Sequence, residues 1–182
     1  MTPTTSSTSA PPGYRRFRVV DPGQIALSSD PTETLITHEL GSSLGVTAYD
    51  RIARVGALVH AQLGLALAPS DNMRRPPARF VETGVAHMLA ALYARGARKE
   101  RLELRAAGGA QTSSDPGEEC FGIGRRNVVA LKKVLWQNGV LIRAYEVGGA
   151  AIRSLSLCVE DGVVELTTPT TVRALGGELT WF

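Results

Sequence analysis

The chain has 182 residues, a net charge of +3 and 43% hydrophobic residues, which fits one domain with a substantial core. No run reaches the ~18 apolar residues of a membrane span, and residues 1–13 lack the basic and apolar regions of a signal peptide, so a cytoplasmic protein without membrane insertion is expected. Two cysteines, Cys120 and Cys158, make neither a disulfide framework nor a zinc spacing, and three scattered histidines suggest no metal cluster, so neither metal nor cofactor is expected.

In chain order, residues 1–15 read as a disordered tail, because Pro, Ser and Thr bury too little area to offset chain entropy. Short strands are predicted at 17–20, an edge strand, then at 25–28 and 35–37, the last entering a turn through Gly41, Ser42 and Ser43. Residues 44–49, closed by Asp50, and 55–61 read as a hairpin. A polar loop at 69–77 leads to a helix over 78–95, with Phe80, Gly84, His87, Met88, Ala91 and Leu92 at helical spacing and Gly96 as the stop. A strand at 102–106 broken by Gly108 and Gly109, a polar loop at 111–119 and a second helix over 124–137 follow. Strands at 140–147, 152–159 and 163–166 complete the pattern, the last two joined at an Asp161-Gly162 turn. The order predicts a mixed α/β domain over 16–166, with two helices against a sheet or pair of sheets, and a C-terminal extension over 167–182.

Paired bases, such as Arg125-Arg126 and Lys132-Lys133, usually form solvated faces, and could also suit an acidic protein surface or, more weakly, a phosphate backbone. Trp136 and Trp181 are too isolated to stack nucleic-acid bases, so no nucleic-acid partner is expected. His38 reads as a strand-end surface residue, His87 as a satisfied core or boundary histidine, Cys158 as a packing residue and Cys120 as a loop cysteine. Arg126 and Asn127 open the second helix, where N–H groups favour an anion, but Asn127 could equally brace the fold.

The stretch with most chemical content runs from Thr37 to Ser43. A Gly-Ser turn after a strand lets backbone N–H groups converge on one space, as in an oxyanion hole, and exposes the side chain that follows. A nucleophile there needs a histidine base, and His60 ends the strand that pairs back, so Ser43 and His60 can face each other.

These residues resemble the CheD family of chemoreceptor glutamine deamidases. That family carries Leu-Gly-Ser-Cys, then a glycine-led strand ending in His, with a threonine six positions before the Cys. Here stand Leu40-Gly41-Ser42-Ser43, Gly56 through His60, and Thr37. The Ser43-to-His60 spacing of 17 also matches. Ala107-Gly108-Gly109-Ala110 is similar to the family's Phe-Gly-Gly-Ala, Ile123-Gly124-Arg125-Arg126-Asn127 to its Ile-Gly-x-Arg-Asn, and Val147-Gly148-Gly149 with Arg153 to its Gly-Gly-x-x-x-Arg. The resemblance spans about residues 17–166 and implies a single CheD-like domain, a mixed β-sheet sandwich with two main helices. It also implies hydrolysis of receptor glutamine amides to glutamate and ammonia, with Ser43, His60 and Thr37 as the catalytic positions and Gly41, Ser42, Arg126 and Asn127 around them. The implied partners of this monomer are cytoplasmic chemoreceptor helices and a CheC-like phosphatase.

Ser43 stands where the family has its cysteine. A thiol ionises readily, whereas a serine hydroxyl must lose its proton as it attacks, so the histidine and oxyanion hole must contribute more. Ala57, Gly64 and Glu146 also depart from the family's Gly, Pro and Asp, which points to a divergent subgroup. Two functions stay open: a serine-dependent deamidase, and a non-catalytic adaptor that binds receptor helices or a CheC-type phosphatase.

Overall fold

The computed structural model describes residues 15–65, 76–111 and 122–176. Its strands are β1 (Arg16–Val19), β2 (Ile25–Ser28), β3 (Glu33–Leu40), β4 (Leu44–Asp50), β5 (Val55–Ala61), β6 (Leu102–Gly108), β7 (Ile142–Val147), β8 (Arg153–Cys158), β9 (Val164–Thr167) and β10 (Val172–Ala174), and its α-helices are α1 (Val81–Tyr93) and α2 (Ile123–Asn138). One sheet has the order β1-β3-β8-β9-β10 and the other β2-β5-β4-β6-β7. The chain is thus one mixed α/β domain, as the sequence pattern and the resemblance led us to expect.

Alternation along β4 and β5 sets the layering. All seven residues of each strand are buried, which a strand achieves only with both faces covered. Leu44, Val46, Ala48, Val55, Ala57, Val59 and Ala61 pack with the apolar faces of α1 and α2. Tyr49 and Leu58, of opposite parity, pack with Leu35, Leu40, Leu155, Leu157 and Leu166 of the other sheet. The order of layers is therefore helices, central sheet, outer sheet. His60 shares parity with Leu58, so it faces the outer sheet. Burying leucines such as Leu35 and Leu155 stabilises that inter-sheet contact by about 1.5–3 kcal/mol each.

The hairpin of β4 and β5 and the turn between β8 and β9 form as the sequence indicates, and β1 lies at a sheet edge. β3 is longer than the expected 35–37 and runs through a register shift between Thr37 and Leu40. α1 starts later than position 78. Pro77–Arg79 forms a 3-10 turn and Phe80 is extended, held in a bridge to Leu63. His87 is exposed, which corrects its reading as a core or boundary residue. The buried stripe runs through Val81, Val85, Met88 and Leu92, and His87 lies off it. Beyond Leu166, β10 pairs with β9 and Leu175 is buried. The expected tail over residues 1–14, much of both polar loops, and Cys120 lie outside the described residues. No described helix is long and apolar enough to cross a membrane.

Candidate active site

Three elements meet where the two sheets come together. Thr37 comes from β3 in the outer sheet, His60 from β5 in the central sheet, and Ser43 from the turn by which the chain passes from one sheet to the other. The turn begins at the irregularity in β3, where Glu39 takes a left-handed φ of 57°. Such a backbone is unfavourable for a residue with a Cβ and concentrates at functional sites. It swings Gly41, Ser42 and Ser43 out of the outer sheet and into line with β4.

The side chains form one hydrogen-bonded line. Ser43 Oγ lies 3.0 Å from His60 Nε2, and His60 Nδ1 lies 2.7 Å from Thr37 Oγ1. Thr37 Oγ1 donates to the Val20 carbonyl at 2.8 Å. A hydroxyl has one proton, and a carbonyl can only accept it. Thr37 must therefore accept from His60, which places the imidazole proton on Nδ1. Nε2 is left with its lone pair toward Ser43, the tautomer that can take a proton from that hydroxyl. Thr37 and His60 are buried, at 0% and 2% exposure, while Ser43 is half-buried and reachable. Burial pushes the His60 pKa below its ordinary 6.5, and the Asp21 carboxylate and Val20 carbonyl pull it partly back. The ring is neutral at pH 7 and able to act as a base.

The turn is tied down through its carbonyls. Gly41 O accepts from Ala110 N and Ser43 O from Gly109 N, each at 2.8 Å. Ser42 O accepts from Asn127 Nδ2, also at 2.8 Å. Gly41 N donates to Glu39 O, but the amides of Ser42 and Ser43 have no acceptor among the described residues. Amides of this kind, at and just before the nucleophile position, are the type of donor that suits an oxygen gaining negative charge; of the two residues, only Ser43 lines the cavity over the site. Gly108 has φ 111°, and a Cβ on it would collide with the Ser43 carbonyl oxygen. The paired glycines thus let β6 press against the back of the nucleophile turn.

A cavity of about 310 Å³ opens over the site, lined by Thr37, Ser43, His60 and Gln62 and rimmed by Asp21, His38 and Glu39. Neither Arg126 nor Asn127 lines it. The Arg126 side chain is exposed, whereas Asn127 is buried and binds the Ser42 and Gln62 carbonyls. His38 is exposed and contacts Ser154. The described residues hold no cluster of His, Cys, Asp and Glu able to bind a metal. The sequence did not reveal the carbonyl contacts from Gly109, Ala110 and Asn127, and only the repeated glycines hinted at close backbone approach.

Comparison with known proteins identifies the family. The family described as "CheD chemotactic sensory transduction" matches residues 66–168, a segment that follows Thr37, Ser43 and His60. A "Probable chemoreceptor glutamine deamidase CheD 2" of Anaeromyxobacter dehalogenans is 37% identical over 142 residues, covering 78% of this chain and 88% of the relative. A "Probable chemoreceptor glutamine deamidase CheD" of Symbiobacterium thermophilum is 35% identical over 85% of this chain and 93% of its own length. That of Caldanaerobacter subterraneus subsp. tengcongensis is 39% identical over 70% and 78%. With a family match over more than half its length and relatives aligned over most of theirs, this chain belongs to the CheD family.

Proposed function

We propose that the protein is a chemoreceptor glutamine deamidase that uses Ser43 as its nucleophile. The observation that carries this reading is the unbroken line from Ser43 Oγ through His60 to Thr37 and the Val20 carbonyl. Ser43 Oγ attacks the glutamine carboxamide carbon while His60 Nε2 takes its proton. The carbonyl oxygen, now negative, accepts from the Ser42 and Ser43 amides. His60 returns the proton to the amide nitrogen, the C–N bond breaks, and ammonia leaves an ester on Ser43. Water, deprotonated by His60, cleaves the ester to glutamate and regenerates the hydroxyl. Thr37 holds the ring in the required tautomer throughout. The relatives' names support the substrate class. The same reading makes the protein a cytoplasmic monomer that meets receptor helices and a CheC-type phosphatase. The alternative, an adaptor that binds receptors without turnover, has the serine itself in its favour.

Incubation with receptor cytoplasmic fragments, followed by mass spectrometry of glutamine-to-glutamate conversion, tests the proposal. Conversion that Ser43→Ala and His60→Ala abolish supports the deamidase. Conversion only by Ser43→Cys overturns turnover by serine and leaves an intact site that lacks its thiol. Receptor binding without conversion by either protein favours the adaptor.

A further inference from the structure

Asn127 lies in the second turn of α2, buried to 0% exposure, and its side chain is absent from the cavity wall. Its Nδ2 donates to Ser42 O at 2.8 Å and to Gln62 O at 2.9 Å. Both contacts are carbonyls, so only the NH2 group can face them, and the chemistry fixes the amide orientation. Ser42 precedes the nucleophile, and Gln62 lies two residues beyond the base. The β4–β5 ladder ends at the Leu44–Ala61 pair, short of both. The ladder thus fixes His60, which pairs with Gly45, but leaves Ser43 one residue past its last pair.

We propose that Asn127 is a positioning residue that clamps the nucleophile turn to the strand end carrying the base, and so sets the Ser43–His60 separation. This rests on reading Ser43 and His60 as the reacting pair. The remaining turn carbonyls, Gly41 O and Ser43 O, are held by the backbone of Ala110 and Gly109. α2 backs that segment too, because a Cβ on Gly124 would sit 2.5 Å from Gly109 O. Only Ser42 O depends on a side chain. Aspartate could not serve, since an ionised carboxylate has no donors.

The test uses the Ser43→Cys variant and needs no receptor. The rate at which iodoacetamide alkylates the new thiol is followed against pH, and mass spectrometry of the modified peptide separates it from Cys120 and Cys158. A histidine-paired thiol ionises at low pH and reacts accordingly. Adding Asn127→Ala is expected to slow alkylation at neutral pH by about 10- to 100-fold and raise its pH midpoint, since misplacing reacting groups by about 1 Å costs on the order of 100-fold. Adding Asn127→Ser, with one donor, is expected to fall between. Alkylation and midpoint unchanged to within about twofold, in protein shown to be folded, overturn the clamp even if the unfolding midpoint drops. If Asn127→Ala does not fold, Asn127→Ser decides by the same criterion. A midpoint that His60→Ala fails to move refutes the pairing itself, whereas a reactive, histidine-dependent thiol on a protein that deamidates nothing refutes only the proposed substrate.

Discussion

Replacing Thr37 by valine keeps the shape of the side chain and removes one hydroxyl. That hydroxyl bridges His60 Nδ1 and the Val20 carbonyl at 2.7 and 2.8 Å. His60 and Val20 are only 2% and 1% exposed, and the added valine methyl occupies the place of the hydroxyl. Loss of two hydrogen bonds and stranding of two buried partners gives an expected destabilisation of about 2–5 kcal/mol. The effect on rate is separate. Without an acceptor at Nδ1, the neutral ring gains by placing its proton on Nε2, facing Ser43, where it cannot act as a base. A triad locked in the wrong tautomer loses on the order of 10⁴ in kcat, and about 10²–10⁴ is expected here. Ammonia release should be compared well below the melting temperature, in whichever of the parent or Ser43→Cys protein turns over faster. Imidazole nitrogen shifts report the tautomer directly. Thr37→Ser should retain most activity. Activity of Thr37→Val within about tenfold of its parent, or an Nε2–H ring in the parent, would refute the reasoning.

Other consequences follow from the same geometry. His60 has its folded-state pKa below 6.5, so the unfolded chain binds its proton first as pH falls. Its contribution to stability is full above about pH 6.5 and is lost as pH drops through the folded value, and base activity falls in the same window. An NMR titration midpoint above 6.5 would contradict this. Asp50 is fully buried, and burial alone would raise its pKa, but Arg101 and the amides of Ala53, Arg98 and Ile52 hold it at about 2. About 2 kcal/mol of stability should therefore disappear between pH 3.8 and pH 2, with Asp50→Asn flattening that part of the urea-denaturation profile. Gly108→Ala should lower stability by about 1–3 kcal/mol and impair Ser43 chemistry, because φ 111° and the Ser43 carbonyl both oppose a Cβ; a fully active, equally stable variant would refute the close-approach argument.

Sequence by itself determined most of what depends on neighbours in the chain. β-Rich composition marked β4 and β5 to within a residue, helical spacing and a terminal glycine marked α2, and the Gly-Ser turn with its later histidine pointed to Ser43 and His60. A hairpin carries its own register, so residues on its strands can be paired on paper. It did not reveal which sheet each strand joins. β3 and β4 are consecutive yet lie in different sheets, β1 pairs with β3 in parallel, and β10 arose where no pattern was legible. Nor could periodicity place His87, which the packing of α1 leaves in solvent. Thr37 was legible only through its family spacing. Its place against His60 follows from two sheets packing face to face, and that Asn127 reaches the Ser42 carbonyl follows from α2 docking behind the turn. Such contacts join residues 23 and 85 positions apart, and only burial of the apolar faces between them decides that they meet.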